Sequence, residues 1–510
     1  MLKTAKEYID SLRELKENLY LLGEKIDNWV DNPIIRPSMN AVAMTYKLAH
    51  EPETRDLAVT KSMLTGKEVN RFNALYKSPE DMVKKVKLQK VLGQRTACCF
   101  QRCVGMDAIN AIFSTSYEID EKYGTEYHKR FRKWLEYAQE NDICIQGAMT
   151  DAKGQRGVPP SKQADPDMFL HVVERRNDGI IIRGAKASQT GTVNSHEMLV
   201  MPTLNMREGD EDYSVSCAVP VDAPGVILIY GRQSCDTRKL EEGDIDVGNY
   251  NFGGQETLTI YDNVFVPWDR VFMCGEKEFA IVLVERFAAY HRQSYGGCKA
   301  GIGDVLIGAT ASMADYNGVR KAPHIREKLG EMIHLAETVH ACGLASAYEG
   351  CKTKAGNCQS DVLISNVCKH NVTRFPYELT RLAEDIAGGI LVTTPAEKDF
   401  RHPVIGKYVD KYLKGVPDIP TEARYRMLTL IHAMSFGQIA PSYHTESMHG
   451  AGSPQAQKIM IERETDMALK QSLARSLAGV DEREDVLDSN SKGGWRKTTE
   501  LDSGTWPRNK

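Results

Sequence analysis

Two segments far apart in the chain carry residue types that bind metals, TACCFQRC and YHRQSYGGCK. Cys99 and Cys103 lie four residues apart, and His291 and Cys298 lie seven apart. On helices each pair would share one face, because residues at i+4 and i+7 stack above one another. Thiolates and an imidazole presented in this way suit a structural zinc ion or an iron–sulfur cluster with one unusual ligand. The spacing alone does not choose between the two.

This spacing is weaker evidence than the paired C-x2-C motifs of many zinc sites. Gly296 and Gly297 strengthen it, because glycines next to Cys298 would let the backbone approach a bulky inorganic group. The other cysteines among the twelve are scattered, without the tight framework of a disulfide-rich secreted protein. We interpret them as buried small apolar residues or incidental thiols, which suit a reducing cytoplasm.

The composition of the 510 residues excludes several classes of protein. The 65 basic residues are balanced by 69 acidic ones, whereas proteins that bind nucleic acids carry a basic excess, so we expect no nucleic-acid partner. Near the start, Thr4 with Glu7 predicts a capping box that begins an amphipathic helix, not a signal peptide. The apolar runs are too short to span a membrane. We therefore expect a soluble, cytoplasmic protein without a membrane partner.

The distribution of residue types along the sequence predicts the helical and β-rich regions that position the metal-binding residues. Residues 1–145 favour helices, residues 146–275 favour short strands separated by Gly, Pro, Asn and Asp, and residues 276–480 favour helices again. The regular spacing of the strands is typical of a barrel or a sandwich. The fold class is therefore α+β. A polar tail at 481–510 is either mobile or wraps a neighbouring subunit.

Individual elements can be predicted within these layers. Asn177-Asp178-Gly179 between two β-rich runs predicts a hairpin turn. Charged and apolar residues alternate with helical periodicity at 84–113, 326–348, 361–387 and 455–478, which predicts long helices there. The first of these contains Cys99 and Cys103.

Long motifs spread along the chain are more specific than any spacing rule. They are DNPIIRPS, CFQRCVGMDA, GRQSCDTRK, HRQSYGGCK, TRFPYELTRLAEDIAGG and TESMHGAGSPQAQ. In these segments the chain resembles the 4-hydroxyphenylacetate 3-hydroxylase family of flavoproteins, and within it the branch that acts on coenzyme A thioesters. The resemblance extends from residue 1 to about residue 480, and the tail lies outside it.

The resemblance implies a fold and a set of cofactors. The fold is acyl-CoA-dehydrogenase-like, with a helical N-terminal domain (1–145), a β-barrel middle domain (146–275) and a C-terminal helical bundle (276–480), assembled as a homotetramer. The cofactors are FAD and a [4Fe-4S] cluster. The cluster ligands implied by the matching positions are Cys99, Cys103, His291 and Cys298.

The activity implied by the resemblance is the radical dehydration of 4-hydroxybutyryl-CoA to crotonyl-CoA, together with isomerisation of vinylacetyl-CoA to crotonyl-CoA. A thioester acidifies only the hydrogen on C2, whereas this dehydration must also remove a hydrogen from C3. The resemblance implies that FAD supplies one-electron chemistry and that the cluster acts as a Lewis acid.

The same resemblance implies roles for individual residues. His291 is the implied base for the C2 proton, because an imidazole titrates near neutral pH and can alternate between ligand and base. The other catalytic residues implied are Tyr295, Lys299, Glu256, Glu446 and Gln101. The residues implied around FAD are Met149, Thr150, Lys153, Gln155, Thr190 and Ser453. Without the resemblance, the histidine would be interpreted as a core residue and the acids and lysine as surface charges.

Two other functions are compatible with the sequence. A flavin-dependent aromatic hydroxylase is the other main activity that the resemblance implies, but such an enzyme has no need of the cysteines. A binding or scaffold protein could instead hold structural zinc in the Cys3His set. Metal and flavin analysis distinguishes the three.

Overall fold

The computed structural model describes residues 2–232, 243–245 and 251–480, so the predicted tail at 481–510 lies outside the described residues. The helices are α1 (Ala5–Leu12), α2 (Arg36–Lys47), α3 (Arg55–Ala58), α4 (Pro79–Thr96), α5 (Cys103–Tyr123), α6 (Tyr127–Glu140), α7 (Lys277–Tyr316), α8 (Pro323–Tyr348), α9 (Val362–Val372), α10 (Phe375–Ala387), α11 (Glu397–Phe400), α12 (Gly406–Tyr412), α13 (Thr421–Ser435), α14 (Ala440–Tyr443), α15 (Thr445–His449), α16 (Pro454–Glu464) and α17 (Met467–Leu477).

The strands form two larger sheets and two short ladders. They are β1 (Leu19–Leu21), β2 (Glu24–Lys25), β3 (Val59–Lys61), β4 (Glu68–Asn70), β5 (Ile145–Ala148), β6 (His171–Arg175), β7 (Gly179–Thr190), β8 (Glu197–Val200), β9 (Val215–Pro220), β10 (Val226–Tyr230), β11 (Glu256–Pro267), β12 (Val271–Cys274), β13 (Cys351–Lys352) and β14 (Cys358–Gln359). The six-stranded sheet has the order β2-β1-β10-β11-β7-β6, and the four-stranded sheet has the order β12-β9-β8-β5.

The two larger sheets pack against each other, and within the described residues neither closes on itself. Tyr261 on β11 donates a hydrogen bond to Met198 Sδ on β8 at 3.2 Å, and Gln146 on β5 donates to Gln189 Oε1 on β7 at 2.9 Å. The β-barrel predicted for 146–275 is therefore wrong, and the sandwich alternative describes the arrangement better. The spacing of short strands does not distinguish the two, because closure depends on which edge strands pair.

The N-terminal residues are less uniformly helical than predicted. The capping box is confirmed, because Thr4 accepts from the Glu7 backbone while the Glu7 side chain accepts from Thr4. The strands β1 to β4 nevertheless interrupt residues 1–145, and β1 joins the larger sheet by pairing parallel to β10, with Leu19 opposite Leu228. Pairing across such a distance in the chain has no local signal.

Several predicted helices are correct in type but broken in the middle. The hairpin is confirmed, because β6 and β7 pair antiparallel around the predicted turn, and α8 contains the predicted helix at 326–348. The stretch 84–113 is instead divided into α4 and α5, 361–387 into α9 and α10, and 455–478 into α16 and α17. Helical periodicity does not locate such breaks. Pro376 in the first turn of α10 marks the break within 361–387, whereas the other two depend on tertiary contacts.

The long helix α7 runs through the helical layer and packs closely on α4. A Cβ on Gly297 would lie 2.4 Å from Val86 O, and one on Gly301 would lie 2.1 Å from Lys90 O. These glycines therefore allow two helix backbones to approach, which corrects the expectation that Gly297 leaves room for an inorganic group. Although α7 has 40 residues, no helix in the described ranges is long and apolar enough to cross a membrane.

Candidate active site

The break between α4 and α5 holds the first pair of cysteines. α4 ends at Thr96, and Ala97 takes a left-handed conformation with φ 50°, while Gln101 has φ 68°. Cys99 lies within the break and Cys103 begins α5, and both thiols are buried. The prediction that these cysteines share one helix face is therefore wrong. They come together across a turn instead.

The second pair is presented by α7 as predicted. His291, Tyr295 and Cys298 lie at i, i+4 and i+7 on this helix, and all are buried. A hydrogen bond with Cys99, then burial, then the nearby Cys99 and Cys298 thiols raise the pKa of Cys103 well above its ordinary value, so the thiols form one group. In the part of the chain that the structure describes, no three His, Cys, Asp or Glu side chains group as ligands of a single metal ion.

His291 is held by a fully buried carboxylate on α5. Its Nδ1 lies 2.9 Å from Asp107 Oδ2, and Ser294 donates to the same oxygen at 2.9 Å. Lys85 on α4 donates to Asp107 Oδ1 at 2.7 Å, and the side chains of both residues are 0% exposed. Burial opposes a charge on Asp107, but Lys85 and then His291 outweigh it and lower the pKa of Asp107 below its ordinary value.

An ion pair brings the C-terminal helices to the thiols. Lys299 on α7 lies 3.4 Å from Glu446 Oε2 and donates to Ser442 O at 2.6 Å. Cys99 Sγ lies 3.8 Å from Glu446 Oε1, and Tyr295 donates to the Glu446 backbone carbonyl at 3.4 Å. Four predicted site residues thus meet at one place: α15 supplies the acid, α7 the lysine and tyrosine, and the break the thiol.

Lys369 on α9 contacts the residues around the Lys299–Glu446 ion pair. Its Nζ donates to Ser447 O at 2.5 Å and to Glu446 O at 3.3 Å, and it lies 3.8 Å from the centroid of the Tyr295 ring. The ammonium therefore holds the α15 backbone and the tyrosine together through carbonyl and cation–π contacts. Burial lowers the pKa of Lys369 well below its ordinary value.

Glu256 approaches the same site from the sheet. It is directly opposite Thr190 in the β11–β7 pairing, and Thr190 Oγ1 donates to Glu256 Oε1 at 2.6 Å. The other oxygen, Oε2, is buried without a partner among the described residues. Burial and then the nearby Glu446 raise the pKa of Glu256 to about 8, so this carboxyl holds its proton at neutral pH.

Gln101 is engaged in packing. Its Nε2 donates to Ser38 O at 2.8 Å and to Gly253 O at 3.3 Å, and its Oε1 accepts from Asn194 at 2.8 Å. From its position between Cys99 and Cys103 the sequence allows Gln101 either to orient substrate or to pack there, and the contacts favour packing. The hydrogen bonds of Gln101 thus hold the α4–α5 break against α2 and against the residues that precede β11.

The residues expected around FAD fall into two groups. Met149 and Thr150 follow β5 and are half-buried, and Thr150 O accepts from the Ala187 backbone of β7 at 2.8 Å, near Thr190. The remaining three are held by local contacts. Lys153 donates its backbone N–H to Met168 O, Gln155 donates to the Gln163 side chain, and Ser453 is exposed and caps α16. No contact joins Ser453 to the β5 residues in the described part of the chain.

Sequence reasoning missed Asp107, Lys85 and Lys369. Asp107 had a usable signal, because it is a lone charge in the otherwise uncharged stretch VGMDAINAIF that follows Cys103. A buried charge requires a partner, so its position on a core helix indicates a site. Lys369 had the same signal, because it is the lone Lys, Arg, Asp or Glu in the stretch VLISNVCKHNVT, whereas Lys85 had none, because its surrounding sequence is charged and typical of an exposed helix.

Comparisons with known proteins match nearly the whole described chain. Residues 4–273 match the family description 4-hydroxyphenylacetate 3-hydroxylase N terminal, and residues 280–479 match its C terminal counterpart. The 4-hydroxybutyryl-CoA dehydratase/vinylacetyl-CoA-Delta-isomerase of Clostridium aminobutyricum is 59% identical, with 94% of this chain and 100% of the relative covered.

Solved structures agree. An oxygen-tolerant archaeal 4-hydroxybutyryl-CoA dehydratase from N. maritimus is 54% identical with a TM-score of 0.92, covering 96% of this chain and 97% of that one. The oxygenase component of 4-hydroxyphenylacetate 3-monooxygenase, complexed with FAD, is 23% identical with a TM-score of 0.82, covering 94% and 100%, and it shows the shared fold. The resemblance inferred from the motifs is thereby confirmed: the chain belongs to the 4-hydroxyphenylacetate 3-hydroxylase family.

Proposed function

We propose that the protein dehydrates 4-hydroxybutyryl-CoA to crotonyl-CoA and isomerises vinylacetyl-CoA to the same product. The observation that carries the proposal is the gathering of buried thiols and the Lys299–Glu446 ion pair around the α4–α5 break. The C. aminobutyricum relative that bears both activities in its name is 59% identical. The aromatic hydroxylase alternative is supported by more distant relatives, such as the 26% identical oxygenase component of 4-hydroxyphenylacetate 3-monooxygenase from Thermus thermophilus, and its chemistry has no use for the thiols.

The donor set fits a [4Fe-4S] cluster held by Cys99, Cys103, Cys298 and His291. Three buried cysteines can supply the soft thiolate ligands of iron–sulfur clusters. His291 keeps Nδ1 on a carboxylate, as metal-binding histidines usually do when they bind through the other nitrogen. A bound cluster would supply a Lewis acid for the C4 hydroxyl.

We place FAD beside Thr190, along the half-buried ends of β5 and β7. Met149, Thr150 and Thr190 are half-buried, so this edge keeps surface that a ligand can cover. Bound flavin would supply one-electron chemistry. Lys153, Gln155 and Ser453 stay predictions as flavin contacts.

We assign the proton transfers and the hydrogen bonds to the substrate hydroxyl to residues of this chain. His291 Nε2, left free by the Asp107 hydrogen bond, accepts the C2 proton that the thioester acidifies. Glu256 is protonated at neutral pH and can donate a hydrogen bond from Oε2 to the substrate hydroxyl. Lys299 holds the Glu446 carboxylate next to the thiols, where it can orient the same hydroxyl or relay a proton. The buried surroundings exclude water from these steps.

Anaerobic purification followed by iron, sulfide and flavin analysis tests the cofactors, and formation of crotonyl-CoA from 4-hydroxybutyryl-CoA tests the activity. We expect an iron-containing flavoprotein that is active in this assay. Cys103→Ala and His291→Ala should abolish dehydration. A colourless, zinc-containing chain would refute the proposal, and oxygen-dependent hydroxylation of a phenol with supplied reduced flavin would favour the aromatic hydroxylase.

We also propose the domain bounds 1–145, 146–275 and 276–480, a homotetramer and a cytoplasmic location. The two family matches, which meet between residues 273 and 280, support a boundary near the start of α7. Light scattering of the purified holoenzyme measures the assembly, and a mass of one chain would refute the tetramer.

A further inference from the structure

The carboxylate of Asp107 lies at the centre of a buried network that the proposed mechanism does not explain. Its Oδ1 accepts from Lys85 at 2.7 Å and from the Tyr76 hydroxyl at 3.1 Å. Its Oδ2 accepts from Ser294 and lies 2.9 Å from His291 Nδ1. Four polar groups from α4, α7 and the segment before α4 thus converge on one fully buried side chain of α5.

This network determines which nitrogen of His291 carries the proton. A carboxylate can only accept hydrogen bonds, so Nδ1 must be the donor, and the neutral imidazole then has its lone pair on Nε2. Phe287 stacks on the ring at 5.3 Å and Tyr295 meets it edge-on at 5.3 Å, so the ring plane is fixed as well.

Lys85 is the group that keeps the Asp107 oxygens in place. Besides Asp107 it donates to Tyr290 O at 2.9 Å and to Gln293 Oε1 at 3.3 Å, so its ammonium is anchored to α7 on the turn that carries His291. An ammonium without its carboxylate would be strongly unfavourable at this depth, and so would the carboxylate without the ammonium. The pair therefore fixes the acceptor that faces His291.

We propose that Asp107, held by Lys85, is a positioning residue that keeps His291 in the Nδ1–H tautomer and leaves Nε2 free to bind a metal centre or accept a proton. The role of His291 Nε2 as a metal ligand or base rests on the proposed function, whereas the assignment of the tautomer does not. The class of interaction is that of carboxylate–histidine pairs in metal sites and catalytic triads.

D107N tests the tautomer because it keeps the shape of the side chain and removes one acceptor. Lys85 can only donate, so the amide oxygen of D107N would turn toward Lys85 and its NH2 toward His291 Nδ1. The proton of His291 would then move to Nε2, which could neither bind iron nor accept a proton. The wrong histidine tautomer strongly lowers turnover in a catalytic triad, so the turnover of D107N should fall on the order of 10³- to 10⁴-fold. Iron retention against a chelator should weaken about 10- to 100-fold.

The double variant K85M/D107N distinguishes positioning from packing. Removing both charges together avoids an unpaired buried charge, and without Lys85 the amide oxygen can face His291 again. We expect iron retention and part of the turnover to return. Glu118→Gln is the matched control, because Glu118 also lies on α5 and accepts from Arg286 on α7, away from His291. It should leave turnover and iron content unchanged.

Nitrogen-15 NMR of histidine-labelled, iron-free protein reads the tautomer directly and does not depend on the proposed function. The His291 signal, assigned with His291→Gln, should report Nδ1–H in the parent chain and Nε2–H in D107N. Each variant is measured below its own melting temperature, because the Lys85 ammonium left without a carboxylate should lower that of D107N. An Nε2–H signal in the parent chain, or a double variant as defective as D107N, would overturn the inference. A parent chain that binds no iron or flavin would refute the proposed function alone, since the NMR result would still decide the tautomer.

Discussion

The hydrogen bond from Thr190 to Glu256 should control the alkaline limit of the reaction. Glu256 is buried and its pKa is raised to about 8, first by burial and then by Glu446, while the Thr190 hydroxyl opposes that rise. The hydroxyl donates to Glu256 Oε1 at 2.6 Å and thus favours the charged form. If the protonated carboxyl is the active form, turnover should decline as the pH rises through about 8.

Thr190→Val removes this hydrogen bond and should therefore raise the pKa of Glu256. A hydrogen bond to a charged group contributes about 1.5–3 kcal/mol, and one pKa unit corresponds to about 1.4 kcal/mol. The alkaline limb should accordingly move upward by about 1 to 2 pH units. Glu256→Gln cannot titrate but keeps a donor, so the same limb should disappear while some activity remains.

The assay is kcat/KM for crotonyl-CoA formation from about pH 6 to about pH 10, because this parameter reports the ionisations of the free enzyme. Thr192→Val is the control, since it removes a neighbouring buried hydroxyl that bonds Gln189 O at 3.2 Å instead of Glu256. An alkaline limb that stays in place in Thr190→Val, moves downward, or persists in Glu256→Gln would refute the assignment of a protonated Glu256.

Three further predictions follow from contacts in and around the site. Glu446→Gln should slow dehydration while iron and flavin are retained, and loss of either cofactor would make Glu446 structural. Burial raises the pKa of Glu17 well above its ordinary value, so the folded state keeps a proton that the unfolded state loses. Stability should therefore fall by about 1.4 kcal/mol per pH unit between about pH 4.3 and the raised pKa of Glu17. Over that range Glu17→Gln should melt increasingly higher than the parent chain as the pH rises, and a constant difference there would contradict this. Gly301→Ala would place a Cβ 2.1 Å from Lys90 O, so we expect about 1–3 kcal/mol of destabilisation in denaturant unfolding, whereas Gly308→Ala, which meets nothing within 4 Å, should cost far less.

The motifs predicted many residues of the site, but they did not predict the contacts that hold those residues in place. The motif match brought Cys99, Cys298, Lys299 and Glu446 into one list, and the structure brings them together as side chains. The sequence left open whether Gln101 orients substrate or packs, and its hydrogen bonds in the structure favour packing.

For the fold as well, local features were predictable from the sequence and long-range contacts were not. The α+β class and the β6–β7 hairpin were correct because composition and turn residues act locally. The barrel was wrong, because sheet closure depends on edge strands whose partners are distant in sequence. The parallel pairing of β1 with β10 has the same cause.

The sequence by itself determined which donors the site contains and which local elements carry them. His291, Tyr295 and Cys298 share a face of α7 because helical periodicity is a property of the backbone. Only the tertiary structure decided where helices break, which glycines allow α4 and α7 to touch, and which buried charge holds Nδ1 of His291. The reason is physical: burial and hydrogen-bond partners come from segments far apart in the chain, and local preferences carry no information about them.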